Sequence, residues 1–103
     1  MKREIKALED IKNLLKNLQP ELARKYKIKE IGIFGSWIKG EQKRKSDLDI
    51  LVEFEENAEI SLFDFIEIKE YLSKKIGVKV DLVEKKALKP YIGKIILKEV
   101  VYL

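Results

Sequence analysis

Cysteine and histidine are both absent from this sequence of 103 residues. Their absence removes disulfide frameworks, zinc and haem ligation, cysteine nucleophiles and histidine general bases together. Chemistry therefore rests on carboxylates, hydroxyls, amines and amides. Proline occurs only twice, and no Pro/Gly/Ser-rich stretch or repeat marks a linker, so residues 1–103 read as one domain. Long apolar runs are absent too: "MKREIKALEDIKNLLKNL" is charged throughout and lacks the apolar centre of a signal peptide or membrane span. A cytoplasmic location without membrane contact is the expectation.

What is present is an apolar fraction of 46% beside a charged fraction of 39%, the balance of a folded domain with a charged exterior. The net charge of +4 is scattered, and only Lys43-Arg44-Lys45 forms a short basic run, so direct nucleic-acid binding is not expected. About a hundred residues can build a two-layer core but leave no separate domain to enclose a second substrate.

Ile5, Leu8, Ile11, Leu15 and Leu18 recur at helical spacing, and Gln19-Pro20 predicts a break before a second short helix, "PELARKY". "IKEIGIF" predicts a buried strand over 28–34, and Gly35-Ser36 a sharp turn into a brief helix ending near Gly40. A second strand is expected from Asp47 to near Phe54. Ser61 and Asp64 have capping-box spacing for a helix carrying Phe65, Ile68 and Leu72 and stopped by Gly77. "VKVDLV" predicts a third strand, and Pro90 the first turn of a last helix. The fold class is α/β (α+β), a small mixed sheet of about three to four strands flanked by helices. Trp37 and the four tyrosines read as packing groups.

Asp47 and Asp49, two apart on a strand, project from one face while Leu48 and Ile50 enter the opposite layer. Two carboxylates held a few ångströms apart resist joint ionisation unless a cation lies between them, and oxygen ligands suit Mg²⁺. Asp81 is a further acid within an apolar strand, and strand adjacency would bring it beside the pair. Three such carboxylates can hold two Mg²⁺ ions, one activating a hydroxyl and one neutralising a triphosphate. Gly35 permits close backbone approach, and Ser36 opens a helix whose free N–H groups and hydroxyl can cradle phosphate oxygens. The combination predicts nucleotidyl or phosphoryl transfer.

Gly35-Ser36, ten residues, Asp47-Leu48-Asp49 and the later Asp81 resemble the signature of the DNA polymerase beta nucleotidyltransferase superfamily. Within it, "IGIFGS", "SDLDILVEF", "SLFDFIEIKEYL", "VDLV" and "ALKPYI" are similar to the minimal nucleotidyltransferases, or MNT antitoxins. The resemblance implies a nucleotidyltransferase fold, with Asp47, Asp49 and Asp81 as catalytic and Mg²⁺-binding acids and ATP as substrate. Gly35, Ser36 and Lys39 would bind the nucleotide, Lys39 standing where relatives usually carry arginine. It also implies transfer of AMP to a tyrosine of a HEPN-domain ribonuclease toxin. The alternatives are neutralisation of a partner by binding alone and transfer to a small molecule.

Overall fold

The computed structural model describes residues 7–43 and 45–103; Ile5 of the N-terminal stripe and Arg44 of the basic run lie outside the described residues. The first element, α1 (Leu8–Tyr26), runs without interruption through Pro20. The expected break does not occur because Leu22 and Tyr26 extend the same buried stripe as Ile11 and Leu15. Burying two large apolar side chains contributes about 3–6 kcal/mol, enough to offset the roughly 3 kcal/mol that proline costs inside a helix.

After α1 come β1 (Ile28–Phe34), the four-residue α2 (Ser36–Lys39), β2 (Leu48–Phe54), α3 (Leu62–Ile76), β3 (Val80–Glu84), a short 3₁₀ turn, α4 (Pro90–Glu99) and β4 (Val101–Tyr102). Ser61 and Asp64 form the expected capping box, each side chain accepting the other's backbone N–H, at 3.1 and 3.0 Å. Pro90 occupies the first turn of α4, where its missing N–H costs no helical bond. The two-residue β4 is too short to show a strand period in sequence. It forms by pairing with Gly32 and Ile33.

The sheet order is β3-β2-β1-β4, with β1 antiparallel to β2 and to β4, and β2 parallel to β3 through the α3 crossover. Ile31, Ile33, Leu48, Ile50, Val52, Val80 and Leu82 join Ile11, Leu15 and Leu22 of α1 and Ile68, Leu72 and Ile76 of α3 in one core. Period-two alternation therefore sends Gly32, Phe34, Asp49, Leu51 and Asp81 to the other face of the sheet. Val100 and Tyr102 lie against Gly32 on that face, where any side chain at position 32 would collide with them.

Trp37 is buried, as expected of a packing group, but the tyrosines divide. Tyr26 is buried and stacks obliquely on Tyr71 at 6.4 Å, whereas Tyr91 is 79% exposed and Tyr102 is also exposed.

Candidate active site

Asp49 is the second residue of β2 and faces two neighbours at once. In the antiparallel register it pairs with Phe34, and in the parallel register with Asp81. Asp47 precedes β2 by one residue and keeps the same parity, so the Asp-x-Asp spacing and the β2–β3 pairing bring all three acids to one region of the sheet. Asp47 and Asp49 are half-buried, and Asp81, on the outer strand, is exposed.

Burial pushes the Asp49 carboxyl up to about 6. The facing Asp81 adds to this through its charge and a carboxyl–carboxyl hydrogen bond, and the charges of Asp47 and Glu99 contribute further. Among the described residues, no three acids converge into a closed ligand set. Asp49 and Asp81 form a close pair, with Asp47 alongside. The donors are all oxygen and the pair is short of positive charge, so these residues fit a hard divalent cation.

Gly35 brings the turn after β1 against this pair. Its φ of +79° is a conformation that favours glycine, and a Cβ there would overlap Oδ2 of Asp49 with the carboxyl carbon only 2.9 Å away. Ser36 begins α2 directly after it, and the backbone N–H groups of Ile38 and Lys39 both donate to the Gly35 carbonyl, closing the turn. The N–H groups of Ser36 and Trp37 come too early in the helix to have an intrahelical acceptor. Lys39, at the end of α2, is half-exposed, and its Nζ lies 3.4 Å from Oε2 of Glu99. Lys43 and Lys45 are exposed in the loop before β2.

The structure thus brings together Asp47, Asp49, Asp81, Gly35, Ser36 and Lys39. It adds Glu99, which sequence reasoning missed. A signal existed: Glu99 is an acid in the last turn of a helix, where the macrodipole disfavours negative charge. Two open clefts of about 400 Å³ lie elsewhere, one between α1 and β1 around Pro20, Ala23 and Ile28, the other around Tyr26, Asn57 and Ile60.

Residues 15–103 match the family described as "Nucleotidyltransferase domain". The chain is 50% identical over 95 residues to the protein adenylyltransferase MntA of Thermococcus cleftensis, covering 92% of this chain and 94% of that protein. A solved structure described as a candidate minimal nucleotidyltransferase superposes with a TM-score of 0.81 at 32% identity, covering 98% of this chain and 100% of that one. A crystal structure of a toxin–antitoxin with AMP-PNP superposes with a TM-score of 0.68 at 25% identity, covering 84% of this chain and 70% of that one.

Proposed function

The chain belongs to the nucleotidyltransferase domain family and is an enzyme of that class, and on that premise we propose that it is a Mg²⁺-dependent protein adenylyltransferase. It moves AMP from ATP to a tyrosine hydroxyl of a HEPN-domain ribonuclease toxin and so acts as that toxin's antitoxin, working in the cytoplasm as one domain. The observation that carries this reading is the Asp49–Asp81 pair with the Gly35 turn packed against it. The name of the Thermococcus relative supports the reaction, and the toxin–antitoxin with AMP-PNP supports both nucleotide and partner.

Asp47, Asp49 and Asp81 would hold Mg²⁺, which when bound supplies Lewis-acid polarisation of the phosphates and charge neutralisation. The chain's own residues do the positioning. Gly35 sets the turn beside Asp49, so Ser36, through its hydroxyl and backbone N–H, presents donors next to the acids for the triphosphate oxygens. Asp81, exposed on the outer strand, is accessible to a docked protein and accepts the acceptor hydroxyl's proton. The hydroxyl oxygen forms a bond to the α-phosphorus, the bond from that phosphorus to the bridging oxygen of the β-phosphate breaks, and pyrophosphate leaves. The exposed position of Asp81 on the outer strand suits an acceptor that brings its own surface.

Incubation with labelled ATP, Mg²⁺ and the product of the neighbouring gene should place label on a tyrosine and silence a ribonuclease. Asp47→Asn and Asp49→Asn should each remove the transfer while keeping the fold. Full silencing of the toxin by an Asp47→Ala, Asp49→Ala double variant, without label, would instead establish neutralisation by binding.

A further inference from the structure

Glu99 belongs to none of the motifs that led to the acids, yet it contacts both ends of the turn that precedes them. Its Oε1 accepts the Gly35 N–H at 3.0 Å, and its Oε2 lies 3.4 Å from Lys39 Nζ. One carboxylate therefore bridges the first and last residues of the Gly35–Lys39 segment. Helix α4 gains nothing from this acid, since the macrodipole disfavours a negative charge in a last turn.

The Glu99 side chain is 20% exposed and that of Lys39 50%, so the carboxylate is the anchored partner and the ammonium the one being held. The anchor is firm because β4 starts two residues later and ties the end of α4 to Gly32 and Ile33. Gly35 is also confined from the Asp49 side, where no methyl group fits. The separation between the turn and the acids is thus set from two directions.

A carboxylate near phosphate donors could act as an internal competitor for them, but the donors it uses argue otherwise. Its bond to the Gly35 N–H engages neither the Ser36 hydroxyl nor the first N–H groups of α2. A lysine ammonium has three donors, and one toward Glu99 leaves two. We propose that Glu99 is a positioning residue for the triphosphate, fixing the Gly35 peptide and holding the Lys39 ammonium beside the turn so that the remaining donors meet the nucleotide already arranged. This rests on the nucleotidyltransferase reading given above.

Equilibrium dialysis of labelled ATP and labelled AMP, each with Mg²⁺, tests it. Glu99→Ala should weaken ATP binding about tenfold and AMP binding by less than about twofold, since the lost hydrogen bond and ion pair hold in place donors meant for phosphates that AMP lacks. Glu99→Gln keeps an acceptor for Gly35 but frees Lys39, so about threefold is expected for ATP, and it carries the test if the alanine variant does not fold. Lys39→Met should then cost less in the Glu99→Gln background than in the wild type, because the two act together. Binding of ATP by folded variants as tight as in the wild type, or tighter, would overturn the role, as would equal losses for ATP and AMP. A wild-type protein that retains no ATP would remove the nucleotide reading and this role with it; retention by wild type and variants alike removes only the role of Glu99.

Discussion

Gly35 and Asp49 are packed so closely that a methyl group on Gly35 would overlap the Asp49 carboxylate. The contact joins the turn proposed to present phosphate donors to the Asp49 carboxyl, on the face of the sheet away from α1 and α3. Neither residue can be displaced without moving the other, and the site's two halves behave as one object.

Gly35→Ala should therefore damage activity more than stability. The left-handed backbone adds roughly 1–3 kcal/mol of strain, and the new methyl group must displace the Asp49 carboxyl from its place between the turn and Asp81. Thermal melting should show a variant that still folds, and ATP-dependent labelling of the partner should fall by at least about a hundredfold. Near-normal labelling would show that the close approach does not matter to the reaction.

Asp49→Asn should stabilise the protein in chelator at pH 7. Burial, Asp81, Asp47 and Glu99 all disfavour a charge at this position, and removing it should raise stability by about 1 kcal/mol after allowance for solvent screening. Mg²⁺ should then raise the melting temperature of the wild type and leave the variant nearly unchanged, which differential scanning calorimetry can read.

Tyr26 donates its hydroxyl proton to Glu67 Oε2 at 2.6 Å, and burial followed by this bond pushes its pKa up to about 12 from 10.0. The folded state keeps a proton that the unfolded chain releases near pH 10, so this contribution is whole below pH 10 and is lost as pH rises through about 12. Tyr26→Phe should cost about 1 kcal/mol at pH 7 and flatten that part of the alkaline stability curve in urea titrations.

Pro20 stands inside α1 at the expense of a helical hydrogen bond. Pro20→Ala should stabilise the protein by about 1–3 kcal/mol, because the flanking stripe already holds the helix in place. A loss of stability on this substitution would show that the proline's fixed φ, and not the stripe, shapes α1.

The strands and their faces were readable because alternation is a local property: Leu48, Ile50 and Val52 could be assigned to the core, and Asp47 and Asp49 to the opposite side, from two-residue spacing alone. The approach of Asp81 to Asp49 was readable as a consequence of strand adjacency, while its register needed the packing of the α3 crossover. Gly35 and Ser36 were legible through turn chemistry. The continuity of α1 was not, because the local rule for proline was overridden by burial of Leu22 and Tyr26. Glu99 was hidden for a different reason: its partners, Gly35 and Lys39, lie far back in the chain, and no periodic pattern relates an acid at the end of α4 to a turn after β1. Tyr91 is exposed where packing is expected of it, because aromatic character signals burial only on average.

Asp81 occupies an outer strand, with β2 on one side and, among the described residues, no strand on the other. Such a strand offers a free row of N–H and C=O groups on which a second copy could add, and charged side chains are how proteins discourage it. The exposed Asp81 lies on that row, close to Asp49 and well away from the covered side of the sheet. A charge at this position works against such pairing, so Asp81→Asn is expected to raise the tendency to self-associate as well as to impair the proposed transfer, and light scattering must accompany any kinetic study of that position.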